Sequence, residues 1–260
     1  MPPDDVRTTA AFREVRKDCV RAAADFDMLA PNRRVLVGVS GGEDSLCLMH
    51  LLTDMRRRAP FRFALYGVTV DMGFDDVDIE GIHAYCQAQG WNHRVVSFPG
   101  QTMIEQKGLE SAPCSLCARM RRGQIHHAAH ELGCDTIALG QHLDDVCASF
   151  LLALFRGQGV TTMAPTAEAD AAKLRLIRPL CRVSKARIHE LAARLELPSF
   201  GNCDYHARLL EHGDRAYVER LLASLEERFP DIRQAMAASM ANLQPAHLLD
   251  PKYSPFARGC

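Results

Sequence analysis

Val35-Leu36-Val37-Gly38-Val39-Ser40-Gly41-Gly42-Glu43-Asp44-Ser45 runs directly into Leu46-Cys47-Leu48-Met49-His50-Leu51-Leu52. An apolar, β-branched run ends in Ser-Gly-Gly, and apolar residues at helical spacing follow at once. The pattern predicts a buried strand, a tight turn and a helix start. Gly41 and Gly42 permit backbone angles that other residues avoid and let the main chain approach a ligand closely. The N–H groups of the turn and of the first helical turn then point outward together as an anion site, to which Ser40 and Ser45 add hydroxyls. Neither Gly-x-x-x-x-Gly-Lys-Ser/Thr nor Gly-x-Gly-x-x-Gly occurs at this turn, which excludes a Walker loop and a dinucleotide fingerprint. Ser-Gly-Gly-x-Asp-Ser remains.

Working outward, residues 8–28 carry Phe12, Val15, Cys19, Ala22, Ala23 and Phe26 at helical spacing, an amphipathic helix ahead of the first strand. The helix from about Asp44 ends in Arg56-Arg57-Arg58, where cations suit the helix dipole or contact phosphate. Further strands are predicted at 63–70, 94–98, 136–139 and 174–177, with helices over 77–89, 114–132, 142–155 and 184–195 between and after them. Residues 101–113 read as a short excursion, and 156–172 as a loop rich in Gly, Thr and Ala. This alternation predicts an α/β fold with five parallel strands and right-handed crossovers. Ligands of such sheets bind beyond the C-terminal strand ends, where Ser40, Asp71, Gly140 and Arg178 all fall. The expected organisation is an N-terminal helical segment (1–30), an α/β domain (31–200) and a C-terminal helical extension (201–260).

Of the 260 residues, 47% are hydrophobic and 24% charged, an ordinary globular balance ample for a core. No apolar run reaches membrane-spanning length, and Met1-Pro2-Pro3-Asp4-Asp5 has none of the regions of a signal peptide, so a cytoplasmic protein with no membrane partner is expected. A net charge of −1 requires any RNA contact to come from local basic patches. Ten cysteines in such a chain suggest reduced thiols and a few metal ligands rather than a disulfide framework.

Pro113-Cys114-Ser115-Leu116-Cys117 sets two thiols on one face of a helix start. Such a pair binds Zn²⁺, holds an iron–sulfur cluster, or cycles through a disulfide or persulfide. Cys203, in the polar loop Phe200-Gly201-Asn202-Cys203-Asp204, is the candidate third thiol, whereas Cys19, Cys47, Cys86, Cys134, Cys147 and Cys181 sit in apolar patterns as small core residues. Arg119, Arg121 and Arg122 follow the pair, either as a solvated helix face or to lower the thiol pKa values and hold anions. Asp144 and Asp145 open a helix, where capping and metal or base chemistry are both open to them; His142 beside them can orient a substrate.

Ser40-Gly41-Gly42-Glu43-Asp44-Ser45 resembles the pyrophosphate loop of ATP pyrophosphatases. Together with Cys114 to Gly123, Ala138 to Asp145, Ile177-Arg178-Pro179-Leu180 and Cys203, the chain from about Phe12 to Leu248 resembles the tRNA 2-thiocytidine synthetase (TtcA) family. The resemblance implies a HUP/Rossmann-like sheet and an enzyme dependent on ATP and Mg²⁺, with a [4Fe–4S] cluster on Cys114, Cys117 and Cys203. It also implies a homodimer that thiolates cytidine 32 of tRNA. Two positions depart from the family's pattern: Glu43 stands where its loop usually has lysine, and Phe200 where a further cysteine often occurs.

On this reading ATP is held by Ser40, Gly41, Gly42, Asp44, Ser45, Asp71 and Gly140, with Asp44 positioning the loop or acting through Mg²⁺. Catalytic roles fall to Asp44, Asp144, Asp145, Cys114 and Cys117. RNA approaches over Arg119, Arg121, Arg122 and Arg156, with Arg56 to Arg58 as a further patch, and splays the target base into the pocket. Sulfur arrives from a donor such as a cysteine desulfurase or as free sulfide, carried either by an open iron or by a persulfide on the cysteine pair. The competing expectations are another pyrophosphate-loop enzyme, such as a lysidine synthetase or an amide-forming ligase, and a non-catalytic Fe–S or zinc RNA-binding protein.

Overall fold

Strands that are apolar along their whole length need helices on both faces, and the chain supplies them. A computed structural model describes residues 4–7, 9–108, 113–169, 174–203 and 213–253. Six strands, β1 (Arg34–Gly38), β2 (Ala64–Asp71), β3 (His93–Ser97), β4 (Thr136–Ala138), β5 (Thr166–Glu168) and β6 (Arg175–Ile177), form one sheet in the order β3-β2-β1-β4-β6-β5. All neighbours are parallel except β5 and β6. Val35 of β1 lies opposite Leu65 on one side and Thr136 on the other. The order therefore reverses between β1 and β4, which opens a ligand crevice at their C-terminal ends.

The expected α/β class holds, with one strand more than the five predicted. The extra strand, β5, is 3 residues within the segment read as a loop, and it pairs antiparallel with β6. So short an arm carries no hydrophobic period from which to recognise it. The excursion after β3 likewise contains a helix, Gly100–Gln106.

The helices are α1 (Asp4–Arg7), α2 (Ala10–Asp25), α3 (Glu43–Arg58), α4 (Ile79–Ala88), α5 (Gly100–Gln106), α6 (Cys114–Glu131), α7 (Leu143–Phe155), α8 (Lys185–Arg194), α9 (Asp214–Arg228) and α10 (Ile232–Met240). Thr9 caps α2, its hydroxyl accepting from the Phe12 N–H at 3.3 Å. Every residue of α3 from Ser45 to Met55 is buried, so this helix is the centre of the main core, walled by α2 and α8. At its far end buried Asp54 takes both Arg16 (3.0 Å) and Arg58 (2.9 Å), a structural role for one member of the arginine triplet. The C-terminal helices α9 and α10 pack on α7, where Val218 and Leu222 share a small core with Leu143, Cys147 and Ala148. Among the described residues no helix is long and apolar enough to cross a membrane.

Candidate active site

The turn after β1 is closed by Ser45. Its hydroxyl donates to the Gly42 carbonyl (2.9 Å) and accepts the Ser40 N–H (3.1 Å), and the two serine hydroxyls lie 3.2 Å apart. Gly41 has φ of +81°, and a Cβ there would stand 2.6 Å from the Ile82 Cδ1, so both backbone and space demand glycine. Gly42 is the N-cap of α3. Three N–H groups are taken up locally: Ser40 donates to the Ser45 hydroxyl, Gly42 to the Ser40 hydroxyl at 3.4 Å, and Ser45 to the Gly42 carbonyl at 3.1 Å. The N–H groups of Glu43 and Asp44, at the head of the helix, have no carbonyl a turn earlier to receive them, as in any helix.

Gly140, expected at the nucleotide, stands directly against the loop. A Cβ on it would lie 3.1 Å from the Asp44 carbonyl carbon and 3.2 Å from the Ser45 N, so the β4 exit presses against the backbone of the loop. It is not among the residues lining the cavity that holds the thiols, and it presses on the turn from behind. Arg178 is likewise outside the cavity, its guanidinium held by Gln141 and the Ala164 carbonyl.

That cavity, about 400 Å³, lies in front of the turn and the end of β2. Ser40, Asp71, Cys114, Cys117, Arg121 and Cys203 all line it. The two thiols of α6 and the distant third thus face one space beside the glycine turn. Each of Cys114 and Cys117 feels the charge of Cys203. Among the described residues no three His, Cys, Asp or Glu side chains close around a single-ion position, and the three thiols are spread over the cavity wall. The third thiol is placed by Phe200. This ring is buried in edge contact with Tyr85, its carbonyl accepts the Asp78 N–H at 2.8 Å, and its Cβ is 3.3 Å from where a Gly41 Cβ would stand.

The expectation that arginines lower the thiol pKa values is corrected. Burial pushes Cys117 up, and Arg121, its Nη2 at 4.0 Å from the sulfur, only partly offsets this. Cys114 is also raised, by burial and then by the charge of Cys203. Arg119 and Arg122 are exposed on α6, and exposed Arg156 pairs with Asp214. The six thiols assigned to the core are all buried.

Asp144 and Asp145 are both engaged. Asp145 accepts the His142 N–H (2.9 Å), capping α7, and pairs with Arg215 at 3.3 Å. Buried Asp144 accepts the Lys185 N–H at 2.7 Å and pairs with Arg233 at 3.0 Å, and buried Arg233 also holds Glu219 and Glu226. Burial opposes the charge of Asp144, but His142, the Lys185 N–H and Arg233 outweigh it and lower its pKa. Burial likewise opposes charge on His142. Its contact with Asp144 and the charges of Asp145 and Asp44 prevail, and its pKa is raised.

Sequence reasoning missed Lys185 and Arg233. Lys185 Nζ lies 2.7 Å from both Glu43 and Asp44, the first two residues of α3. His189 Nδ1 holds the other oxygen of Glu43 at 3.0 Å. These partners are more than 140 positions apart, and nothing local in the sequence links them.

Comparison with known proteins follows the geometry. The PP-loop domain family matches residues 13–200. The tRNA-cytidine(32) 2-sulfurtransferase of Syntrophotalea carbinolica is 35% identical over 246 residues, 94% of this chain and 95% of the relative. That of Sorangium cellulosum is 37% identical over 239 residues, 92% of this chain and 84% of the relative. Among solved structures, the U34-tRNA thiolase NcsA from Methanococcus maripaludis with its [4Fe-4S] cluster superposes with a TM-score of 0.68 at 22% identity, over 90% of this chain and 80% of that one. The NH3-dependent NAD synthetase of Campylobacter jejuni, in complex with the nitrate ion, shares the fold at a TM-score of 0.51 and 15% identity, over 93% of this chain and 100% of that one.

Proposed function

We propose, from the premise that this chain belongs to the PP-loop domain family and within it to the tRNA-cytidine(32) 2-sulfurtransferases, that it is an ATP-dependent tRNA thiolation enzyme acting on cytidine 32. The observation that carries this reading is the shared cavity: a pyrophosphate turn and three thiols on its wall. Activation and sulfur delivery can then happen at one base.

A cytosine C2 oxygen is a poor leaving group. Its attack on the α-phosphorus of ATP forms a C–O–P link and breaks the bond to pyrophosphate; hydrosulfide then adds at C2, and AMP departs with the oxygen. No net oxidation occurs if sulfur enters at the level of sulfide. The turn at Ser40 to Ser45 and the head of α3 receive the triphosphate and stabilise the charge that grows on pyrophosphate. Asp44, at the head of α3, orients the turn and would serve as a carboxylate for a Mg²⁺ carried in with ATP. Asp144 and Asp145, held by Arg233 and Arg215, position His142 and the head of α7. Asp71 faces the same cavity as Ser40 from the end of β2 and is assigned to the nucleotide.

Cys114, Cys117 and Cys203 fit a [4Fe–4S] group, since three soft thiolates spread over one wall are its donor set. These three thiols would hold the cluster at the cavity wall, where it would supply a site for sulfide-level sulfur beside the activated base. Arg121 lines the cavity, and exposed Arg119, Arg122 and Arg156 are assigned to tRNA, with Arg56 to Arg58, at the far end of α3, as a separate exposed patch. The catalytic unit is assigned to residues 31–200, with 1–30 and 201–260 as helical flanks, in a cytoplasmic homodimer supplied by free sulfide or a cysteine desulfurase.

The test is anaerobic purification with iron and sulfide counts, then incubation with tRNA, ATP, Mg²⁺ and sulfide. The expected outcome is pyrophosphate release and 2-thiocytidine by nucleoside mass spectrometry. Cys203→Ser should lose iron and activity together. If it retains activity, sulfide reaches the activated carbon without a group held by all three thiols, and the role of Cys203 falls. If no cytidine is thiolated, the reading fails.

A further inference from the structure

We propose that Lys185, at the start of α8, is the pyrophosphate-binding cation of this loop, with Glu43 and Asp44 holding its ammonium in readiness. The proposal deepens the reading above and rests on its assignment of ATP to the turn.

Three observations carry it. First, Nζ stands 2.7 Å from Glu43 Oε1 and 2.7 Å from Asp44 Oδ1, which places the ammonium beside the first turn of α3, where an incoming phosphate would meet the N–H groups. Burial disfavours the charge, but the two carboxylates outweigh it and raise the pKa of Lys185, so the side chain is charged at every physiological pH. Second, the backbone is anchored while the side chain is part-exposed. The Lys185 N–H donates to buried Asp144 at 2.7 Å, and Arg233 fixes Asp144 at 3.0 Å, yet the side chain remains 40% exposed. A solute can therefore reach an ammonium whose root cannot drift. Third, Glu43 has a second partner. His189 Nδ1 lies 3.0 Å from Glu43 Oε2, so Lys185 can exchange a carboxylate for a phosphate oxygen without leaving Glu43 bare.

The charge balance points the same way. Glu43 and Asp44 put two negative charges at the mouth of a site meant for a polyanion, and an approaching triphosphate is repelled unless a cation intervenes. His142 Nε2 is 4.0 Å from Asp44 but largely buried, and the exposed ammonium of Lys185 touches both carboxylates. A lysine acts on phosphate as a compact, rotatable point charge, which suits a group that must follow pyrophosphate as it leaves.

The test is calorimetric titration of the full-length protein with inorganic pyrophosphate and with ATP, each with Mg²⁺. The variants are Lys185→Met and Lys185→Arg, with thermal unfolding recorded for each. Wild type should bind pyrophosphate, Lys185→Met should bind it at least tenfold more weakly, and Lys185→Arg should stay within a few-fold. Should Lys185→Met unfold, Lys185→Gln provides the second arm: it keeps a donor for Glu43 and Asp44 without the charge, and it too should bind pyrophosphate at least tenfold more weakly. Unchanged affinity in a folded Lys185→Met or Lys185→Gln overturns the assignment alone. If the wild-type protein binds neither pyrophosphate nor ATP, the nucleotide reading falls with it. Neither readout depends on the cluster or on tRNA.

Discussion

The guanidinium of Arg233, on the last α-helix, lies 3.0 Å from Asp144 at the head of α7. Its Nη1, which makes that contact, also holds Glu219, Nε holds Glu226, and the second oxygen of Asp144 accepts the Lys185 N–H. The C-terminal helices are thus joined by a buried ionic knot to the segment behind the phosphate turn. Arg233→Met strands three carboxylates, one of them buried, and should cost about 3 kcal/mol in urea unfolding. A loss below about 1 kcal/mol would show that the knot contributes little.

Gly140→Ala should disturb the turn from behind. Its methyl would press on three backbone atoms of Asp44 and Ser45, none of which can rotate away. We expect about 1–3 kcal/mol of destabilisation and a raised KM for ATP. Gly123→Ala is the control. It lies mid-helix with open space around it, and should stabilise by about 0.5–1 kcal/mol. Equal behaviour of the two variants would contradict the close packing at Gly140.

Thiol labelling of metal-free protein separates the cysteines. Burial pushes Cys134 and Cys181 up to about 11 and Cys86 and Cys147 up to about 12, and raises Cys19 and Cys47 further. Of the nine cysteines among the described residues, iodoacetamide at pH 8, read by peptide mass spectrometry, should modify Cys114, Cys117 and Cys203 first, because these three are only partly buried. Early modification of any of the six buried thiols would place that residue wrongly.

The pH dependence of stability has two limbs. Glu43 and Asp144 have lowered pKa values, so their contribution is complete above the ordinary carboxylate range near 4 and is lost as pH falls through the lowered values. His142 has a raised pKa, so its contribution is complete below 6.5 and is lost as pH rises through the folded value. Melting temperatures from pH 3 to 9 should therefore show a shallower acid limb in Asp144→Asn and a flatter decline above pH 6.5 in His142→Gln. Parallel curves for wild type and both variants would refute these assignments.

Much of this was legible along the chain, because it is periodic or local. The alternation at Val35 to Leu52 announces strand, turn and buried helix, and the apolar settings of Cys47 and Cys147 mark core thiols. Asp145 caps its own helix at a spacing that sequence displays. Three things were not legible. β5 is too short for a period, and its pairing with β6 depends on a tertiary edge. Gly140 reads as a strand-end ligand contact, and nothing local shows that it also packs on the Asp44 backbone, distant in sequence. Lys185 and Arg233 are ordinary basic residues on amphipathic helices until folding brings acidic partners to them.

Phe200 ties the third thiol to the aromatic nest beside α4. Its ring is rooted against Tyr85, which in turn meets Trp91, while Cys203, three residues further on, lines the cavity. A lesion in that nest, at Tyr85 or Trp91, is thereby felt at a sulfur that neither side chain touches.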